Sequence, residues 1–309
     1  MIVTLTGANS FGLQAKLHEY TEDFVGKYSD LALERIDGQE TSFESISEAL
    51  NGLPFLSSKK LVVLRDGSAN KQFAEQAEQI LNNIPESTDV ILVEPKLDKR
   101  LAYYKFLKKK TDFQEFPELD QNGLTRYLVE AANQQGGDIS TSDARYLVER
   151  VGANQLLLSN ELNKLLLYDK KITRSTIDIM TEPTPQSTIF QLLEAAFAGH
   201  TKKALDLYSE QRALKVEPQQ IIAMLAWQLH ILAVLKTAGD RQTGQIASEA
   251  KINPYVLGKS QGIARDLSLQ EVKRMVSDLL EIDTDSKSTN IDVDEALQNY
   301  LLSISLNQH

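Results

Sequence analysis

Short apolar runs alternate with segments of helical period over the first third of the chain, and helical period alone governs the rest. Ile2 to Leu5 predicts a strand and Leu31 to Ile36 another. Leu61-Val62-Val63-Leu64 and the run from Asp89 to Glu94, stopped by Pro95, carry apolar residues without alternation, so they predict strands buried on both faces. Between them Phe43, Ile46 and Leu50, then Phe73, Ala77, Ile80, Leu81 and Ile84, recur at helical spacing. Residues 41–44, Thr-Ser-Phe-Glu, read as a capping box that opens the first of these helices. A lysine-rich helix from about Leu101 to Lys110 leads to a last strand at Asp112 to Phe116. Strand and helix in strict alternation predict a parallel sheet covered on both faces.

Beyond Pro117 no strand is predicted. One helix carries Leu124, Tyr127, Leu128 and Ala131 and breaks at Gly136-Gly137. A second carries Ala144, Leu147, Val148 and Val151 with Gly152 as its C-terminal cap, and a third runs from about Asn154 to Tyr168. Residues 181–186, with two prolines, read as a linker. A stripe of Ile189, Phe190, Leu193 and Phe197 follows, closed by Gly199. Pro218 then opens a long helix, apolar almost all round, which is expected to be central and buried. Two or three more helices are expected, ending near Leu306. The predicted fold class is α/β followed by all-α.

Composition narrows the function classes. With 42% hydrophobic and 25% charged residues the 309-residue chain is of ordinary globular type, which excludes disordered and collagen-like proteins. The absence of cysteine excludes disulfides, cysteine-zinc modules and thiol nucleophiles. Apolar runs are interrupted well short of about 18 residues, so no membrane span is expected. Residues 1–6 lack the charged start of a signal peptide, and the expected address is the cytoplasm. A net charge of −10 favours protein partners over DNA as the primary target. Lys105, Lys108, Lys109 and Lys110 form the one dense cationic patch. It reads as a solvated helix end, with contact to DNA inside an assembly as the alternative.

Candidate chemistry centres on the first turn. Gly7-Ala-Asn-Ser-Phe-Gly12-Leu13-Gln14 follows a strand and opens a helix, the position and glycine spacing of a phosphate-binding loop. A working loop needs a lysine and a hydroxyl where Leu13 and Gln14 stand, since an apolar chain supplies no cation and an amide is a poor magnesium ligand. Two glycines at this spacing also suit a plain tight turn. Glu94 stands alone where a nucleotide hydrolase carries two adjacent acids, and it reads as a strand-end acid with a structural role or none. His18, His200, His230 and His309 have no metal-ligand spacing, so no metal and no cofactor are expected; His230 reads as a core or interface histidine. Glu161 is expected to pair with Lys164. Pro54 forces Leu53, Phe55 and Leu56 into a short loop, where they either plug the end of the sheet or point outwards as an apolar anchor.

In order and spacing, several pieces together resemble the delta subunit of the bacterial DNA polymerase III clamp loader. They are residues 53–65, Leu-Pro-Phe-Leu-Ser-Ser-Lys-Lys-Leu-Val-Val-Leu-Arg; residues 93–100, Val-Glu-Pro-Lys-Leu-Asp-Lys-Arg; and Phe113-Gln-Glu-Phe-Pro117. Val151-Gly152, residues 160–165, Ser187-Thr-Ile-Phe190, residues 280–287 and Ala296-Leu297 complete the pattern. The resemblance implies an AAA+-like domain with a degenerate phosphate loop at 1–118, a three-helix lid at 119–183 and a helical collar for oligomerisation at 184–309. It implies a subunit that does not hydrolyse ATP but binds the sliding clamp (the beta subunit) and opens the ring for loading on primer–template DNA. Its partners would be ATPase and delta-prime subunits in a hetero-pentamer. By position the clamp-binding element falls on Leu53, Pro54, Phe55 and Leu56, with Phe55 as the aromatic wedge and Leu53 or Leu56 as its aliphatic companion. The alternatives are a delta-prime-like clamp-loader subunit, an unusual P-loop nucleotide hydrolase using Gly7 and Gly12 differently, or a helical adaptor unrelated to replication.

Overall fold

Strands with no polar face must be covered twice, and the first 118 residues achieve this with a five-stranded parallel sheet between two helical layers. The computed structural model describes residues 1–54, 57–239 and 241–306. The elements are β1 (Ile2–Thr6), α1 (Ser10–Lys27), β2 (Leu33–Asp37), α2 (Phe43–Asn51), β3 (Lys60–Arg65), α3 (Lys71–Asn82), β4 (Thr88–Glu94), α4 (Ala102–Lys110) and β5 (Asp112–Glu115). The strand order is β2-β3-β4-β1-β5. Every residue of β4 is buried, because β4 has neighbours on both edges and helices on both faces. Side chains alternate along the strands. Val62, Leu64, Val90 and Leu92 face α2, α3 and α4, while Val3, Leu5, Val63 and Val93 face α1. Burying Phe73 fully in the first of these layers contributes about 2–3 kcal/mol.

Element ends shift by a residue or two, and three of the local expectations change. A 3-10 turn takes Asp30–Ala32, so β2 starts at Leu33. The helix at 43 is capped by Ser42, which accepts the Ser45 N–H at 3.2 Å, and Glu44 forms no box with Thr41. Ile84 falls beyond the end of α3, although it still packs against that layer's core.

The chain divides into two compact units, Met1–Glu118 and Leu119–His309. The second holds α5 (Gln121–Gln134), β6 (Asp138–Ile139), α6 (Thr141–Val151), α7 (Gln155–Tyr168), β7 (Lys171–Ile172) and α8 (Arg174–Met180). It continues with α9 (Pro185–Phe197), α10 (Thr201–Ala213), α11 (Pro218–Thr237), α12 (Thr243–Ala250), α13 (Pro254–Asp266), α14 (Leu269–Ser288) and α15 (Val293–Leu306). Leu128, Leu147, Leu162 and Ile177 share one core; Leu193, Leu225, Leu229 and Leu301 share another. Tyr255 of α13 enters the first core, where its hydroxyl donates to the Val148 carbonyl at 3.3 Å.

Several expectations for this unit are corrected. The three-helix module has a fourth short helix, α8, and a two-strand parallel pairing of β6 with β7. Neither element is long enough to show a period, yet each buries an isoleucine in the core: Ile177, Ile139 and Ile172 are at most 3% exposed. The linker shortens to residues 181–184 because Pro185 takes the first position of α9, where a missing N–H costs nothing. Among the described residues four helices, not two or three, follow α11. By length and composition alone α11 could cross a membrane, contrary to the expectation from apolar runs, but Ile221, Leu225 and Leu229 are fully buried in the bundle core. Its opposite face is not buried: Trp227 is 41% exposed, with its ring 5.6 Å from the exposed His230. A further face of the helix, bearing the fully buried Ile231, packs with Ile246 and Leu257 in a separate cluster.

Candidate functional site

In a parallel sheet the loops that follow strands gather at one edge and the loops that precede them at the other. The loop after β1 lies at the first edge, and the α2–β3 loop lies at the opposite one.

At the first edge the chain closes on itself the loop whose glycine spacing matched a phosphate loop. Gly7 has φ +123°, and a Cβ there would stand 2.2 Å from the Phe116 carbonyl oxygen, so only glycine fits. Phe116 donates its N–H to the Thr6 carbonyl at 2.7 Å and accepts the Asn9 N–H at 3.0 Å. Asn9 then caps α1, its Oδ1 accepting the Gly12 N–H at 2.9 Å. The N–H groups of Asn9 and Gly12, which such a loop would offer to a phosphate, are thus already taken. Leu13 is 1% exposed in the core under α1, and Gln14 accepts a hydrogen bond from Arg65 Nη2 at 3.0 Å. Gly7, Gly12, Leu13 and Gln14 are brought together as a tight turn and helix start, with a buried leucine and an amide where a working loop carries its lysine and hydroxyl.

Glu94 ends β4 at 0% exposure. Its carboxylate accepts the Ser68 N–H at 2.9 Å, the Ser68 hydroxyl at 2.6 Å and the Tyr103 hydroxyl at 2.9 Å. Burial raises its pKa above the usual range, and the hydrogen bonds from Ser68 and Tyr103 oppose this only in part. Burial and the adjoining carboxylate push the Tyr103 phenol well up. Glu94 is a clasp between β4, the turn at Gly67–Ala69 and α4, and it has no open side for a metal or an attacking water.

At the opposite edge both stems of the α2–β3 loop are pinned. Gly52 donates to the Glu48 carbonyl at 2.7 Å, and a Cβ on Gly52 would come within 2.8 Å of that oxygen. From the other stem Lys60, 8% exposed, donates its ammonium to the Ala49 carbonyl in the last turn of α2. Burial lowers the Lys60 pKa. Lys59 pairs with Asp89 at 3.3 Å, and the Lys60 N–H donates to the Ser87 carbonyl at 2.9 Å. Between these anchors Leu53 is 80% exposed and Pro54 half-buried. Phe55 and Leu56 lie outside the described residues.

Lys105, Lys108, Lys109 and Lys110 are all exposed, the last three in the final turn of α4, where cations suit the helix dipole. Lys108 Nζ stands 5.7 Å from the centre of the Tyr104 ring. The α4–β5 connection precedes β5, so this patch shares an edge with the loop at 52–59.

Glu161 pairs with Lys164 at 2.6 Å. The described histidines are apart: His18 is 3.9 Å from Glu22, His200 stands at the N-cap position of α10 without a side-chain capping bond, and His230 is on the bundle surface rather than in the core. His309 lies outside the described residues. Asn9, Lys60 and Phe116 were not singled out from the sequence as site residues. An asparagine three before a helical glycine is a cap signal that could have marked Asn9, whereas Phe116 acts across more than a hundred residues and leaves no local signal.

Comparison with known proteins covers nearly the whole chain. Residues 5–116 match the family model described as DNA polymerase III, delta subunit, and residues 186–304 match that of its C-terminal domain. A model described as a middle domain matches residues 120–179. The DNA polymerase III subunit delta of Bacillus subtilis is 23% identical, over 98% of this chain and 92% of the relative. The probable delta subunit of Aquifex aeolicus is 21% identical, over 98% and 90%. The solved Bacillus subtilis DNA clamp loader delta protein superposes with a TM-score of 0.83 at 21% identity, covering 99% of this chain and 95% of that one.

Proposed function

This chain belongs to the delta-subunit family of DNA polymerase III, and on that premise we propose that it grips the sliding clamp and opens the ring without hydrolysing ATP. The observation that carries the reading is the α2–β3 loop, in which an 80% exposed leucine stands between two pinned stems at a sheet edge. Leu53, Pro54, Phe55 and Leu56 together would offer an apolar anchor with a polar rim, the usual anatomy of a binding hot spot. Rigid stems reduce the ordering cost of binding, so more of the contact energy appears as affinity.

Ring opening follows from differential affinity. A wedge that makes better contact with the open ring shifts the clamp by the free-energy difference between its two contacts, and by no more. Fuel is then needed only to reset the assembly. The self-capped loop at Asn9, the buried Leu13 and the enclosed Glu94 support a subunit that leaves this step to others. In this reading residues 1–118 hold the clamp, 119–183 form the lid and 184–309 the collar. The collar would join ATPase and delta-prime subunits in a hetero-pentamer that meets primer–template DNA in the cytoplasm. A nucleotide hydrolase is less well supported because Leu13 and Gln14 supply neither cation nor metal-binding hydroxyl, and a delta-prime-like subunit because the chain has no cysteine for a zinc module.

Two assays on the isolated protein test the reading: capture of the sliding clamp from the same organism, and ATP turnover with magnesium. Clamp capture with no turnover is expected. Turnover that is lost on Gly12→Val would favour the hydrolase.

A further inference from the structure

We infer that Lys108, Lys109 and Lys110 are the cationic rim of the clamp-docking surface and face carboxylates on the clamp, rather than a DNA backbone. The inference rests on the clamp-binding reading and adds the chemistry of the partner's face.

The topology carries it. The loop at 52–59 precedes β3 and the lysine turn precedes β5, so both emerge at the same edge of the sheet. Both also leave the same helical layer, since α2, α3 and α4 pack on one core. In the order β2-β3-β4-β1-β5 the two connections are three strand spacings apart, about 14 Å at ~4.8 Å each. Counted across the helices, with α3 between α2 and α4, the spacing is about 16–20 Å. A standard protein interface covers about 800 Å² per partner, a disc of roughly 16 Å radius. A clamp centred on Leu53 therefore reaches the lysines at the edge of its footprint, where interfaces are polar.

The charges then constrain the partner. Lys105, Lys109 and Lys110 have no ion pair with any described carboxylate, and Lys108 has only the Tyr104 ring and hydroxyl. Three adjacent cations brought against a neutral or basic face would lose solvation and gain nothing, so a tolerated contact requires acidic groups opposite them. On a chain of net charge −10 a local cationic patch is also the part that would orient an encounter with an acidic face. DNA phosphates would satisfy the lysines equally well, but nothing places DNA within this footprint, whereas the loop places the clamp there.

Association and dissociation of the full-length chain with the sliding clamp, followed across a salt series, test the inference. The variant K108E/K109E/K110E is expected to associate at least tenfold more slowly at ~50 mM salt, to approach wild type near ~0.5 M, and to dissociate within twofold of wild type. K108Q/K109Q/K110Q should show the same trend at smaller amplitude, and these exposed positions leave the fold intact by circular dichroism. Phe55→Ala should act on the other rate, speeding dissociation while leaving association little changed. An unchanged association rate in both triple variants, or a loss confined to primer–template binding, would overturn the inference while leaving clamp binding standing. Wild type that fails to bind the clamp at all would overturn the underlying reading itself.

Discussion

Asn9 Oδ1 accepts the backbone N–H of Gly12 at 2.9 Å, so the first turn of α1 is capped from inside the loop where a nucleotide-binding protein would hold phosphate. Phe116 closes the same loop from β5's side, its carbonyl taking the Asn9 N–H and leaving no room for a Cβ on Gly7. The two glycines are therefore unequal. Gly7→Ala combines a positive φ with a backbone clash and should cost about 3 kcal/mol or more in urea unfolding. Gly12→Ala meets only the flexible Phe116 ring and the Asn9 side chain at 3.3–3.4 Å, and its helical gain should hold the change within about 1 kcal/mol. Equilibrium binding should detect no ATP on wild type or on Gly12→Ala.

The clasp at Glu94 predicts a pH signature. Its folded pKa is raised, chiefly by burial, so between the unfolded value of 4.5 and the folded value the native state holds more protons than the unfolded chain. The Glu94 contribution is full below that window and falls as pH rises through it. Glu94→Gln keeps an acceptor for Ser68 and Tyr103 but cannot ionise. It should compare better with wild type at pH 7 than at pH 4 in paired unfolding curves, and a comparison that worsens with pH would contradict the account.

In the helical bundle Asp294 accepts the Tyr208 hydroxyl at 2.5 Å and Arg212 Nε at 2.7 Å, and Arg212 also donates to the Val216 carbonyl. Burial pushes the Asp294 pKa up, but Arg212 and Tyr208 together pull it below its ordinary 3.8. Its contribution is therefore present above pH 3.8 and lost as pH falls through the lower folded value. Asp294→Asn should cost about 1–2 kcal/mol at pH 7, a figure discounted because both side chains are about a third exposed. The deficit should shrink in acid.

Lys60 links the loop to the helix before it. Lys60→Met keeps the aliphatic stem and removes the bond to Ala49, which should cost about 1 kcal/mol in stability. Clamp affinity should fall severalfold beyond what that destabilisation explains, because the stem is loosened while the apolar residues remain. An unchanged dissociation constant would show that the pinning is irrelevant to binding.

The sheet was legible because strands such as Leu61–Leu64 and Asp89–Glu94 are doubly covered and so lose their polar positions altogether. Boundaries were less so: Thr41 and Ser42 are both good caps, and only the Ser45 N–H, bonded to Ser42, decides between them. Ile139, Ile172 and Ile177 enter the core from elements of two to seven residues, too short for any period to declare itself. Trp227 was expected inside and His230 in a core or an interface because α11 is apolar almost all round, whereas the buried faces are those bearing Ile221, Leu225 and Leu229 and, in a separate cluster, Ile231. Around the candidate site, Gly7, Gly12, Leu13 and Gln14 were readable as a loop without its reactive pair. The closure by Phe116 and the pinning by Lys60 were not, since both join positions that sequence separates.

The central claim is that the α2–β3 loop grips the sliding clamp, and the dissociation constant of the full-length chain with that clamp, for wild type against Phe55→Ala, tests it most directly. The account predicts saturable wild-type binding that weakens at least tenfold, about 1.4 kcal/mol, on this single truncation. Equal affinity of the two proteins, with both folded, would contradict it.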